Sequence, residues 1–315
     1  MIRHSRFAQF RRQLEAFDPG TGWRLWLYEF LLFGFKQAWA CLFGALLLFL
    51  LLATHLFYPD DAPLHRYDFL TLAAIAIQIG MLAFRLETWG EAKVILVFHV
   101  VGTVMELFKT AVGSWDYPEA SVLHIGAVPL FSGFMYASVG SYMARVWRIF
   151  DFRFTQYPPR WTTWALATAI YINFFAHHWL PDIRLALFIA TAALFWRTRV
   201  YFRNWQTHRW MPLLLGFGLV AVFIWFAENI ATFANAWNYP DQKAGWQMVG
   251  FAKLGSWYLL MLISFVLVSL VSPIRDAIEK TGHSRYDTHK GEPDDPHHVP
   301  SRIRSADHRS HRTCR

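Results

Sequence analysis

Apolar residues gather in eight runs along the chain, about 33–57, 68–85, 92–112, 123–145, 161–180, 183–202, 211–234 and 248–272. Each run approaches the roughly 20 residues that an α-helix needs to cross a bilayer, so the pattern predicts eight transmembrane helices. The sixth is the weakest, because Arg184 and Arg197 stand close to its ends. Residues 1–32 carry basic and aromatic positions (Arg11, Arg12, Trp23, Trp26, Tyr28) that suit an amphipathic segment on the inner membrane surface. No short apolar core followed by small residues precedes the first run, so insertion is expected to rely on that run itself. Past Pro273 the apolar periodicity ends. Residues 273–315 read as a basic, His-rich, disordered cytoplasmic tail. Its histidines (His283, His289, His297, His298, His308 and His311) lack the regular spacing of a zinc site.

A second pattern lies over the first. Glu106, Thr110, Trp115, Tyr117, Pro118, Gly133 and Tyr136 recur, at a constant offset of 122 residues, as Glu228, Thr232, Trp237, Tyr239, Pro240, Gly255 and Tyr258. Matched Trp, Tyr and Pro at one offset point to an internal duplication, with one four-helix repeat over 33–147 and the other over 161–272. An even number of spans per repeat makes the duplication parallel, about an axis along the membrane normal. The expected fold is therefore an all-α, polytopic membrane bundle of four plus four helices.

Charge sets the expected orientation. Lys and Arg number 25 in segments 1–36, 85–93, 145–160, 197–210 and 273–315, against 3 in the alternate loops. By the positive-inside rule both termini face the cytoplasm. The net charge of +8 then marks topology and contact with anionic headgroups. Its division among five segments forms no single basic groove and speaks against nucleic acid as a partner. The two cysteines, Cys41 and Cys314, exclude a disulfide framework.

Ionisable groups inside the bilayer are costly and ask for a reason. Glu106 and Glu228 are the acids placed well inside runs, and Lys109 and Lys253 the deeply placed lysines. His99, Thr103, Glu106 and Thr110 share one helical face, and Lys109 follows Glu106 by three residues on that face. Lys253, one short turn away in the chain, is the expected partner of Glu228. One reading makes these buried structural ion pairs; the other makes the glutamates exchange protons, with His99 as relay. Trp115, Tyr117, Tyr136, Trp237, Tyr239 and Tyr258 suit interfacial anchors or the aromatic lining of a ligand cavity. Asn173 and His177 share a face beside His178 and read as interfacial. Neither an H-E-x-x-H pattern nor a Cys cluster is present, so no metal or cofactor is expected.

The strings Glu106-Leu-Phe-Lys-Thr-Ala-Val-Gly-Ser-Trp-Asp-Tyr-Pro118, Pro129-Leu-Phe-Ser-Gly-Phe-Met-Tyr-Ala-Ser-Val-Gly140 and Ala252-Lys-Leu-Gly-Ser-Trp-Tyr258 resemble the YoaT-like family of bacterial integral membrane proteins over about 30–272. That family carries no assigned activity, so the resemblance implies a membrane fold and no mechanism. A fainter likeness, of arrangement only, is to membrane carotenoid cyclases and hydratases, which are also duplicated and use intramembrane acids. Two functions follow as expectations. The first is an enzyme that adds a proton to an apolar isoprenoid or lipid, with Glu106 as acid and Glu228 as second acid or cation stabiliser. The alternative is a proton-coupled transporter of a small solute, with a non-catalytic assembly protein as a third class. The expected partners are the lipid bilayer and an apolar small molecule.

Overall fold

The computed structural model describes residues 16–277; the first 15 residues and the His-rich tail from 278 onward, including Cys314, lie outside the described residues. Helices dominate. The first apolar stretch forms α1 (Trp23–Ala40) and α2 (Leu42–Phe57), which meet at Cys41 with a bend of 68°. Helices α3 (Arg66–Ala83) and α4 (Trp89–Ala111) follow. Thr88 and Glu91 start α4 with a reciprocal capping box, satisfying two of its orphan donors.

A small hairpin, β1 (His124–Ile125) with β2 (Val128–Pro129), then leads into α5 (Phe131–Ile149). Gly126 supplies the positive φ of 58° at its turn. Beyond α5 come β3 (Arg153–Thr155), α6 (Arg160–Ala176), α7 (Arg184–Phe195), β4 (Arg199–Arg203) and β5 (His208–Pro212). The last two helices are α8 (Leu213–Phe233) and α9 (Phe251–Ser269). Strands β3, β4 and β5 form an antiparallel sheet in that order.

Four helices, α3, α4, α8 and α9, are long and apolar enough to cross a bilayer, and a fifth span is formed if α1 and α2 count as one broken segment. Their exposed faces fit that use. Leu96, Val100 and Val104 on α4, and Leu215, Leu219 and Phe223 on α8, stand exposed at four-residue spacing. In water such apolar rows would be unfavourable, whereas lipid accepts them.

Three expected boundaries move. The sixth run, 183–202, divides into the 12-residue helix α7 and strand β4. At 1.5 Å per residue α7 reaches only about 18 Å, short of the bilayer core. The fourth run opens with the hairpin rather than with helix, and α5 holds Arg145 and Arg148 near its end. The first helix starts at Trp23, inside the segment expected to lie on the membrane surface. Buried Glu29 ties it instead to the sheet, accepting from Arg209 Nη2 at 2.7 Å, while its carbonyl accepts from Asn204 at 2.5 Å. The all-α expectation thus holds for the bulk of the fold, with two small sheets added.

The tightest helix contact is α4 against α5. A Cβ added at Gly102 would sit 2.5 Å from the Tyr136 ring, one at Gly133 2.5 Å from Thr103 Oγ1, and one at Gly140 2.7 Å from the Phe98 ring. Small residues let the two backbones approach, as packing between membrane helices favours. Gly44 performs a milder version between α2 and Ser138 of α5. On the opposite side, Trp147, Phe154, Phe217 and Phe265 join α5, β3, α8 and α9 in the largest apolar core.

Candidate functional site

Glu106 occupies the second-last turn of α4 and is only 3% exposed. The chain leaves α4 through Gly113, whose positive φ of 71° turns it back toward the helix. That return brings Trp115 Nε1 and the Tyr117 hydroxyl to Glu106 Oε2 at 2.7 and 2.6 Å. From α5, the Tyr136 hydroxyl donates to Oε1 at 2.7 Å. Three neutral donors therefore surround this carboxyl.

Glu228 on α8 is 4% exposed and has a related setting. Asn235 takes the positive φ of 54° that Gly113 takes in the first copy. The Tyr239 hydroxyl, again 11 residues on, donates to Glu228 Oε1 at 2.5 Å. The second donor is Trp257 Nε1 of α9, at 2.8 Å from Oε2.

The two return loops meet. The N–H of Asp116 donates to the carbonyl of Asn238 at 3.0 Å, and the N–H of Asn238 donates to that of Asp116 at 2.9 Å. Trp115 lies edge-on to Tyr239, with ring centroids 5.9 Å apart. Beneath the loops, three successive polar residues at the start of α3 hold both of them. Arg66 reaches the Ala234 carbonyl at 2.7 Å and Glu119 at 2.5 Å. The Tyr67 hydroxyl donates to the Asn235 carbonyl at 3.1 Å, and Asp68 accepts the backbone N–H groups of Val122 and Leu123. This clamp was missed in the sequence, although an Arg-Tyr-Asp triplet at the head of an apolar run was its visible sign.

The lysines do not form the expected ion pairs. Buried Lys109 points its ammonium to His178 Nε2 at 2.9 Å and lies 4.2 Å from the Phe174 ring centroid. Lys253 sits over the Tyr239 ring at 3.9 Å and the Trp115 ring at 5.4 Å. Among the described residues neither lysine has a carboxylate oxygen within 4.0 Å. A cation over aromatic faces is attracted by the ring quadrupole and needs no counter-ion for that contact. The glutamates, for their part, are already hydrogen-bonded to indole and phenol donors.

A cavity of about 1130 Å³ runs among α1, α2, α5, α8 and α9, and Glu106, Glu228, Lys109 and Lys253 all contribute to its wall. Trp115, Tyr136, Trp237 and Tyr239 line it too, with Trp257 added by the structure. Most of the remaining wall is aliphatic or aromatic. Tyr117 stands behind Glu106 as a hydrogen-bond donor. His99 packs over Gly133, its ring 4.5 Å from that of Phe134, away from the cavity wall. Tyr258 turns to Phe188 and Phe217 instead of Glu228. Among the described residues no three His, Cys, Asp or Glu side chains converge as metal ligands.

Comparison with known proteins agrees with the strings quoted above. Residues 29–265 match the model of the family described as "Protein of unknown function (DUF817)". The chain is similar to "Uncharacterized protein YoaT" of Bacillus subtilis (strain 168), with 43% identity over 245 residues, covering 78% of this chain and 92% of that protein. No solved structure matches.

Proposed function

The chain belongs to this family of proteins of unknown function, and from that premise we propose a multi-pass protein of the bacterial cytoplasmic membrane that performs proton chemistry on an apolar isoprenoid or lipid substrate through Glu106 and Glu228. The observation that carries the reading is the large apolar cavity whose wall includes both carboxyls. Its volume exceeds the range of about 300–1,000 Å³ common for small-molecule sites. An aliphatic wall recognises an apolar body and offers little to a hydrated solute.

The Glu–Tyr pairs suit proton transfer. A phenol donates to a carboxylate and accepts from a carboxylic acid, so each pair keeps its hydrogen bond whether or not the acid is protonated. The indole N–H of Trp115 or Trp257 can only donate, which fixes the oxygen it bonds. In the reaction proposed, the Glu106 O–H proton passes to an alkene carbon, the π pair forms the new C–H bond, and the carboxylate remains. The carbocation is then stabilised by the faces of Trp115, Tyr136 and Trp257 and by Glu228. Tyr117 and Tyr136 take the relay role once expected of His99.

In this reading the eight apolar runs form the membrane bundle, the first as the bent pair α1 and α2 and the sixth as the short helix α7, with both termini cytoplasmic. Support for a parallel duplication comes from the loops: Asp116 and Asn238 are equivalent positions, and a residue that pairs with its own counterpart lies on a two-fold axis. That same symmetry favours the second reading, a proton-coupled transporter with matched halves.

Mass spectrometry of molecules that copurify with the detergent-extracted protein tests the first reading. The expected result is a specific isoprenoid or lipid whose chemical form differs between wild type and Glu106→Gln. Bulk phospholipid alone, together with proton flux in sealed vesicles that Glu106→Gln abolishes, would replace the enzyme by the transporter.

A further inference from the structure

The cavity is not uniformly apolar. Lys109, Lys253 and Arg184 all contribute to its wall, and the three cations lie within electrostatic reach of one another. Of the carboxyls nearby, Glu106, Glu228 and Asp182 are already engaged, while exposed Asp241 acts on Lys253 from a distance. Glu106 and Glu228 accept from Trp and Tyr donors. Asp182 pairs with Arg184 at 3.2 Å and accepts from Asn173 at 3.1 Å. An ammonium carries three N–H donors, yet among the described residues the close contacts of Lys253 are ring faces, and those of Lys109 are one imidazole nitrogen and its rings. Lys109 is buried and Lys253 partly exposed on the cavity wall, so a ligand there can supply acceptors to both ammonium groups, as a buried donor requires.

We infer that the cavity takes an amphiphile with an anionic headgroup, held by Lys109 and Lys253 with Arg184, while its apolar tail lies along the wall of α1, α2, α5 and α8. This inference rests on the proposed function and narrows its substrate class from apolar molecules to anionic amphiphiles. The wall fits the division. Phe30 and Phe33 of α1 and Leu219 and Phe223 of α8 also line the cavity, where they can cover a hydrocarbon chain. Phosphate or carboxylate oxygens would give the ammonium groups the charge-assisted bonds they lack. The headgroup would also bring the reacting part of the tail beside Glu106 and Glu228, since Lys253 lies over the same Trp115 and Tyr239 rings that contact those acids.

Binding of hexadecyl phosphate, hexadecanol and inorganic phosphate to the full-length protein in detergent, read by quenching of tryptophan fluorescence, tests this. Wild type is expected to bind hexadecyl phosphate at least about tenfold more tightly than hexadecanol. The double variant Lys109→Met, Lys253→Met should lose that difference and keep its affinity for hexadecanol, while Lys253→Arg should retain most of it. Equal affinity of wild type for the alkyl phosphate and the alcohol overturns the anionic headgroup and leaves the apolar cavity standing. Inorganic phosphate binding as tightly as hexadecyl phosphate makes the site one for a free anion and overturns the amphiphile. Failure of both alkyl ligands to bind overturns this inference and the proposed substrate cavity together. The ligand comparison uses wild type alone, so a variant that does not fold leaves the test intact.

Discussion

Asp116 and Asn238 exchange both of their backbone hydrogen bonds, at 3.0 and 2.9 Å, and so close an antiparallel bridge between the two motif loops. The contact belongs to the backbone, and the side chains are secondary. Asp116 also meets Lys243 at 2.7 Å, but both partners are about half exposed or more, at 47% and 62%. Asp116→Ala is therefore expected to melt within about 1 kcal/mol of wild type. Asn238→Pro, which removes a donor from the bridge, should cost about 1–3 kcal/mol. Thermal melting in detergent separates the two, and equal losses would assign the bridge to the side chains.

The two carboxyls differ in how many donors they have. Tyr117→Phe leaves Glu106 with Trp115 and Tyr136, whereas Tyr239→Phe leaves Glu228 with Trp257 alone. A hydrogen bond to a charged group contributes about 1.5–3 kcal/mol, so Tyr239→Phe should be the more destabilising change. Melting of the two variants side by side checks the order.

The glycines of the α4–α5 contact tolerate no side chain. Gly102→Ala would place its Cβ 2.5–2.6 Å from Tyr136 atoms, and an overpacked core costs about 1–3 kcal/mol. Gly218→Ala on α8 would meet its nearest atom, on Tyr258, at 3.9 Å. Helix propensity then predicts a neutral or slightly stabilising change there. Gly102→Ala should also disturb Tyr136 and with it Glu106, so ligand retention should fall along with the melting temperature.

Glu87 and Arg145 form a wholly buried pair, with a nitrogen–oxygen distance of 3.5 Å. Ser141 donates to the same Glu87 oxygen at 2.6 Å, and Arg145 donates to the Trp39 carbonyl at 2.9 Å. Glu87→Gln strands the guanidinium charge, at a cost of about 3–5 kcal/mol. The double variant Glu87→Gln, Arg145→Met should recover part of that loss, as measured by a double-mutant cycle of melting temperatures.

Asp151, between α5 and β3, fastens Arg153 at 3.0 Å, His208 at 3.4 Å and Arg275 at 3.3 Å. Burial works to raise its pKa, but the Arg153 hydrogen bond and the surrounding Arg153, Arg203 and His208 charges win and hold it below the usual carboxylate value. A depressed folded pKa gives stability that is present above the unfolded value, near 3.9, and lost as pH falls through the lower folded value. Asp151→Asn should lower stability at pH 6 to 7 and flatten its dependence between about pH 5 and pH 3. Melting curves across that range are the check.

The paired acids and the aromatic residues around them were legible because their identities and spacing recur, and recurrence survives drift in everything between. Spacing did not settle which rival a long side chain would choose. Lys109 is three residues from Glu106 on one face, yet its amine reaches His178, on the segment after α6. Tyr258 matches Tyr136 in sequence, but neighbouring residues on a helix lie about 100° apart, and on α9 it is Trp257 that faces Glu228. The strand Arg199–Arg203 was read as the end of a span, since five residues rich in Val, Tyr and Phe satisfy either pattern. Its partners, β3 and β5, lie 44 residues back and a short turn ahead, and only the first of those separations hides a pairing completely.

The glycines set the α4–α5 contact and α8 apart in their freedom to change. Gly102, Gly133 and Gly140 lock α4 to α5 on the Glu106 side, so a substitution there moves backbone. Gly216 and Gly218, on the Glu228 side, face atoms no closer than 3.7 Å. Size and shape of the chamber can therefore be retuned from α8 without refolding the wall that holds Glu106. In evolutionary terms α4 and α5 are the anvil and α8 the adjustable jaw, and relatives should differ first along α8.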